Sequence, residues 1–170
     1  MLFRSNDYTV FLLVGLGIDG KIYIIDLLRG KWEAPEMNRQ AKAFIDKHKA
    51  YTYETRPIRW MNVEDKAHGT QLIQNLGTYA GVPCIAIQRG TDKLTRFMDV
   101  QVQLEHDYEN NPEDRLVMLP IGQPWVAAFI EECEAFTADM THDHDDQVDT
   151  LIDAIEEATV KQNYEPPMGG

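Results

Sequence analysis

The spacing of apolar residues along this chain alternates between the pattern of a strand and that of a helix, which predicts short strands interleaved with helices. Two runs rich in β-branched and aromatic residues, 8–15 and 21–28, flank the turn signal Asp19-Gly20 and predict an opening hairpin. Further strands are predicted at 58–63, 84–88 and 116–119, and helices around 35–48, 72–79, 94–98, 125–136 and 142–155. The positions predicted to face inward on three of these helices are Met37, Ala41, Phe44, Ile45 and His48 on the first, Leu94, Phe97 and Met98 on the third, and Trp125, Phe129, Ile130 and Cys133 on the fourth. Strands that alternate with helices after a hairpin indicate a mixed α/β sheet with helices on its faces.

The last predicted helix combines one apolar face with an acidic start. Its apolar positions recur at intervals of three and four residues, at Val148, Leu151, Ile152 and Ile155. Asp146 and Asp149 would project from nearly the same face, and Asp145 lies four residues before Asp149. Such carboxylates repel one another unless a cation lies between them, and Mg²⁺ or Mn²⁺ prefers oxygen ligands of this kind. The alternative is that the acids only complement the helix dipole and cap free amides.

Composition limits the class of protein. The chain has 170 residues, 44% hydrophobic and 26% charged, which fits one folded domain without a transmembrane or secretory segment and predicts a cytoplasmic setting. Cys84 and Cys133 lack the spacing of a disulfide framework and are expected to be reduced and mostly buried.

The net charge of -12 argues against a broad basic surface for nucleic acid, but the charge is unevenly distributed. No Lys or Arg occurs between Leu116 and Val160. Cations gather in the middle third, at Arg56, Arg59, Lys66, Arg89, Lys93 and Arg96. A basic edge could therefore contact phosphates while the acids hold metal.

Glu64 is placed where a predicted strand ends, the position at which open α/β sheets bind ligands. Alone it is most simply an exposed strand-end acid. If folding brought it to the acids of the last helix, carboxylates from separate elements would suit two-metal phosphodiester hydrolysis.

An ordered series of motifs resembles one family. In chain order these are Asn6-Asp7-Tyr8-Thr9-Val10, Val63-Glu64-Asp65-Lys66-Ala67-His68-Gly69 with Gln71-Leu72-Ile73, Asp92-Lys93 with Arg96, Leu119-Pro120 with Trp125, and His144-Asp145-Asp146-Gln147-Val148-Asp149. The series spans nearly the whole chain. It resembles the C-terminal nuclease domain of the large terminase subunit of tailed bacteriophages.

The resemblance implies a ribonuclease H-like domain that cuts concatemeric double-stranded viral DNA during genome packaging, in the host cytoplasm, with two Mg²⁺ or Mn²⁺ ions. The catalytic metal ligands it implies are Glu64, Asp146 and Asp149, with Asp145 as an indirect ligand. The DNA-contacting cations it implies are Lys66, Lys93 and Arg96, and Arg89 of the same basic region is a further candidate. His144 would lie beside the site, although His142 and His144 could also bind a transition metal. The implied partners are the terminase ATPase domain, the small terminase subunit and the portal, with no membrane.

Two parts of the family pattern are missing from the sequence. The family's first catalytic aspartate stands on a central first strand, upstream of the position that matches Asn6, and Asp7 is only a weak substitute ligand. We therefore expect residues 1–160 to form an N-terminally truncated nuclease domain without that strand and with weak or absent cleavage, followed by a flexible tail at 161–170. No GxxxxGK[ST] phosphate loop, the signature of the ATPase motor, occurs in the sequence.

Two other hypotheses remain open at this point. A relative of Holliday-junction resolvases would share the acids of the final helix but cut junctions. A non-catalytic acidic protein would bind the basic surface of a partner and would need no divalent metal.

Overall fold

The computed structural model describes residues 8–49, 57–64, 68–104, 115–136 and 145–162. The elements within these ranges are β1 Thr9–Leu16, β2 Ile22–Gly30, α1 Ala34–Lys49, β3 Met61–Glu64, α2 His68–Leu76, β4 Thr78–Tyr79, β5 Val82–Ile87, α3 Lys93–Leu104, β6 Val117–Met118, α4 Val126–Ala135 and α5 Asp146–Gln162. The mixed α/β class predicted from the sequence is confirmed. The predicted absence of a central first strand stays a prediction, because residues 1–7 lie outside the described ranges.

The chain divides into two compact units, residues 1–11 with 29–90 (unit 1) and residues 12–28 with 91–170 (unit 2). In unit 1, β3 and β5 run parallel, with Met61 opposite Cys84 and Glu64 opposite Ile87, and β4 pairs antiparallel with β5. Helix α2 packs on β3 and β5, and α1 packs on α2. The apolar face predicted for α1 is buried, and it includes His48, whose ring meets Phe44 edge-on at 4.8 Å.

One prediction in unit 1 is wrong. Tyr79 was expected to continue the helix that carries Leu72, but α2 ends at Leu76 and Tyr79 lies in β4. Gly77 follows the helix with a φ of 52°, a left-handed conformation that commonly ends helices. Ala80 and Gly81 also have positive φ, which is the geometry of a two-residue hairpin turn between β4 and β5.

Gly69 allows β3 and α2 to approach closely where Glu64 ends its strand. A Cβ atom built on Gly69 would overlap the backbone carbonyl oxygen of Glu64. We predict that Gly69→Ala lowers the free energy of unfolding by about 2 kcal/mol or more, because backbone atoms cannot yield as a flexible side chain can.

Gly90→Ala is the matched control, since a Cβ there meets nothing within 4 Å, and we expect it to change stability by less than about 0.5 kcal/mol. Urea unfolding of both variants measures the difference. Equal stability of the two variants would show that β3 and α2 do not depend on this approach.

Unit 2 has a core formed between strand β2 and helices α3 and α5. Its buried members are Ile22, Ile24, Val100, Phe136, Val148, Ile152, Ile155 and Ala158. β1, β2 and β6 form one sheet, and β2 pairs parallel with β6, with Ile22 opposite Val117. The apolar face predicted for the last helix is confirmed, because Val148, Ile152 and Ile155 are all buried in this core.

Two side chains predicted to point inward in unit 2 do not. Met98 on α3 is 58% exposed, because Arg96 and Val100 occupy the buried face of that helix. Ile130 on α4 is exposed, and the buried positions of α4 are Phe129 and Glu132. In each helix a charged residue, Arg96 or Glu132, is buried where the hydrophobic pattern predicted an apolar residue. Within the described part of the chain, no helix combines the length and apolarity needed to span a membrane.

Candidate functional site

Carboxylates of α5 meet the cations of α3 in unit 2. We call Lys93, Arg96, Asp145, Asp149 and Asp153 the α3–α5 ion-pair network. Lys93 Nζ lies 2.6 Å from Asp145 Oδ2 and 2.7 Å from Asp149 Oδ2. The Arg96 guanidinium lies 3.1 Å from Asp149 Oδ1 and 2.9 Å from Asp153 Oδ1. Asp149 is therefore shared by both cations.

Helical spacing explains why these five side chains meet. Asp145, Asp149 and Asp153 follow one another at intervals of four, so they form one stripe along α5. Lys93 and Arg96 are three residues apart and share one side of α3. The two helices are held together by the apolar core, in which Val100 of α3 packs with Val148 and Ile152 of α5.

The network lies at the edge of the unit 2 core. Arg96 is only 4% exposed, and the side chains of Asp149 and Asp153 are largely covered. Burial of the Lys93 ammonium acts to lower its pKa, but the hydrogen bonds and charges of Asp145 and Asp149 outweigh burial and the pKa of Lys93 is raised. Lys93 is therefore a cation at neutral pH.

The donor set fits a hard divalent cation in its chemistry. Asp145 and Asp149 already direct one carboxylate oxygen each at a single positive centre, the Lys93 ammonium. Carboxylate oxygens that converge in this way are typical ligands of Mg²⁺ and Mn²⁺. Among the residues that the structure describes, however, no three His, Cys, Asp or Glu side chains are grouped closely enough to hold an ion.

Glu64 stands at the end of β3 in unit 1, as predicted. Its Oε2 lies 3.1 Å from Nη1 of Arg89, which follows β5. β3 and β5 are parallel neighbours, so the strand-end acid and the arginine reach the same edge of the sheet. Arg89 was predicted to contact DNA, and in the structure its guanidinium pairs with the candidate catalytic acid.

Asp146 is the first residue of α5, and its side chain is half-buried. The next residue, Gln147, is fully buried and bonded to Glu132 of α4 through both its backbone amide and its carboxamide. The acidic start of the helix is thus attached to a neighbouring helix.

Comparison with known protein families assigns the chain to one of them. The family model described as "Terminase RNaseH-like domain" matches residues 4–158. The chain belongs to this family. No curated protein and no solved structure matches it.

Several predicted site residues of this terminase RNaseH-like domain lie outside the described ranges. They are Asp7, Lys66, His142 and His144. The assignments of Glu64, Asp145, Asp146 and Asp149 to metal, and of Lys66, Arg89, Lys93 and Arg96 to DNA, stay predictions. Trp125 precedes α4, where its ring meets Phe129 edge-on at 6.0 Å and packs against the core, as expected for a core residue.

Sequence reasoning missed two acids of the terminase domain. Asp153 completes the stripe at the i+8 position from Asp145, and this spacing is readable in the sequence. Glu132 follows the buried Phe129 by three residues, and an acid at the spacing of the buried face of a helix is a signal of a specific partner.

The two cysteines are free and half-buried. In unit 2, Cys133 lines an apolar cavity of about 320 Å³ together with Phe97, Leu104 and Leu151. Burial, with added repulsion from Glu132 and Glu134, raises the pKa of Cys133 to about 12. Burial also raises the pKa of Cys84. Neither thiol has the lowered pKa of a nucleophile.

Proposed function

We propose that this terminase RNaseH-like domain is a metal-dependent endonuclease that cuts double-stranded viral DNA during genome packaging. The observation that carries the proposal is the pair of α5 carboxylates, Asp145 and Asp149, that converge on one cationic centre within a chain of this family. The ligands we assign to the metal are Glu64, Asp146 and Asp149, with Asp145 in an indirect role. Mg²⁺ or Mn²⁺ would activate water and stabilise the charge on the scissile phosphate.

Lys93 has two roles in this proposal. In the metal-free chain its ammonium neutralises Asp145 and Asp149 at 2.6 and 2.7 Å. A divalent ion at Asp149 would replace that charge, and the released ammonium would become available to a DNA phosphate. Arg96, which is nearly fully buried between Asp149 and Asp153, would instead hold the α5 stripe in place.

The partners and the setting follow from the same family assignment. We propose that the domain acts on concatemeric DNA together with an ATPase motor, a small terminase subunit and a portal, in the cytoplasm of the host cell.

Plasmid cleavage tests the proposal. The 170-residue protein, incubated with supercoiled plasmid and Mn²⁺, should nick it, and chelation with EDTA should stop the reaction. The double variant Glu64→Ala with Asp146→Ala should be inactive while remaining folded by circular dichroism. Cutting that survives both substitutions would overturn the site assignment.

A non-catalytic role is the second candidate, because ion pairs already compensate Glu64, Asp145 and Asp149. In that case the ion pairs stabilise the fold, and the acidic surface binds the basic surface of a partner. Calorimetry that detects no heat of Mn²⁺ binding to a folded chain would favour this function over the nuclease.

A further inference from the structure

Glu132 is a buried acid with no part in the proposed chemistry. It lies on α4 and is 8% exposed, whereas the neighbouring acids Glu131 and Glu134 are exposed. Burying a charged carboxylate costs free energy unless the carboxylate is hydrogen-bonded. The hydrogen-bond partner of Glu132 therefore indicates the role of this residue.

That partner is Gln147, on the first turn of α5. Glu132 Oε1 accepts a hydrogen bond of 2.6 Å from the backbone N–H of Gln147, and Glu132 Oε2 accepts one of 2.6 Å from the Gln147 carboxamide. Gln147 is 1% exposed, so both bonds are shielded from water. Hydrogen bonds to a charged acceptor are roughly twice as strong as neutral ones.

The two hydrogen bonds from Gln147 to Glu132 restrain both the position of the first turn of α5 and the rotation of the helix about its axis. The backbone bond satisfies an amide that the helix leaves open at its N-terminus, and it places a negative charge where the helix dipole favours one. The carboxamide bond, made by a side chain that projects from the helix, resists rotation of α5 about its axis. Gln147 follows Asp146 directly and precedes Asp149 by two residues, so the directions of both carboxylates are set at the same point.

We propose that Glu132 is a positioning residue, which holds the first turn of α5 so that Asp146 and Asp149 present their carboxylates to the metal. The inference rests on the proposed function. It adds a residue from α4, a helix that contributes no member to the α3–α5 ion-pair network as defined above.

A purely structural helix cap would also explain the two hydrogen bonds, so the test must separate metal affinity from stability. Glu132→Ala removes both acceptors. Glu132→Gln keeps an oxygen for the backbone amide, and its new NH₂ group can donate to the oxygen of a rotated Gln147 carboxamide, so both bonds can form without the charge. Phe129→Leu is the matched control, because Phe129 is buried on the same helix and its shortening loosens α4 without changing the Gln147 bonds. Mn²⁺ affinity is measured by calorimetry on the whole chain, and the melting temperature by circular dichroism.

We expect Glu132→Ala to weaken Mn²⁺ binding by about tenfold or more, the usual effect of removing an outer partner of a metal site. Glu132→Gln should weaken it by less than about threefold, and Phe129→Leu should lower the melting temperature with affinity unchanged within about twofold. If Glu132→Ala does not fold, Gln147→Leu replaces it, because that variant keeps the backbone bond and loses the carboxamide bond. It should weaken binding by at least about threefold.

Unchanged Mn²⁺ affinity in Glu132→Ala, or in Gln147→Leu where it is needed, would leave Glu132 as a helix cap and overturn the inference. Failure of the proposed function looks different. In that case the unsubstituted chain itself binds no Mn²⁺, and the positioning role is overturned together with the nuclease.

Discussion

Replacing Arg96 by methionine should lower the free energy of unfolding by about 3 kcal/mol, because it leaves two largely buried carboxylates without their shared guanidinium. Arg96 is 4% exposed and contacts both Asp149 and Asp153. Because methionine fills much of the same volume as arginine, the loss of stability would reflect the missing charge and not a packing defect. Urea unfolding monitored by circular dichroism measures it.

A second substitution shows whether the charges are coupled. Adding Asp153→Asn to Arg96→Met should recover about 1 kcal/mol or more, because one uncompensated charge is removed while Lys93 still pairs with Asp149. Strictly additive losses would mean that the network does not act as a unit. If Arg96→Met retained full stability but bound DNA less tightly, Arg96 would instead serve as the phosphate contact predicted from the sequence.

Replacing Lys93 by methionine should raise the affinity for Mn²⁺ by at least about tenfold, or about 1.4 kcal/mol. In the metal-free chain the ammonium competes with any ion for Asp145 and Asp149, at 2.6 and 2.7 Å. Without it, Asp145 and Asp149 both lose an ion pair and Asp149 keeps its pair with Arg96, so less positive charge opposes a divalent ion at these carboxylates. Calorimetric titration with MnCl₂ measures the change.

Lys42→Met is the matched control for this experiment. Lys42 is also a helical lysine, but its ammonium lies over the Tyr79 ring at 5.3 Å. Its replacement should leave Mn²⁺ affinity unchanged within about twofold, since the Lys42 ammonium is placed over an aromatic ring and not on the carboxylates of the α3–α5 ion-pair network. Equal or weaker Mn²⁺ binding by the Lys93 variant would show that Lys93 does not occupy the place of the metal.

Local features of the fold were readable from the sequence. The turn at Asp19-Gly20 and the apolar face of α5 were both predicted, because each follows from a periodicity or turn preference spanning only a few residues. The prediction failed at Tyr79, where hydrophobic spacing continued a helix that Gly77 had ended. Spacing alone does not separate one more helical turn from a two-residue strand.

The candidate site was harder to predict because its contacts join residues far apart in the chain. The acids of α5 were predicted as a group, but Lys93 lies 52 residues before Asp145, and nothing in the local pattern shows that the two form a pair. A charged run looks the same in sequence whether it faces solvent, metal or another helix. The burial of Arg96, which was predicted as a DNA contact, and the role of Glu132 were not predicted for a related reason, since buried charges occupy positions that patterns assign to apolar residues.

We propose that Glu64, Asp146 and Asp149 bind a divalent metal. Anomalous diffraction from a crystal of the 170-residue chain soaked in MnCl₂ tests it most directly, because it locates the ion without reference to activity. We expect Mn²⁺ to lie within about 2.5 Å of carboxylate oxygens of these three residues, with the Lys93 ammonium displaced from Asp149. Mn²⁺ bound only to other carboxylates, with Lys93 still between Asp145 and Asp149, would contradict it.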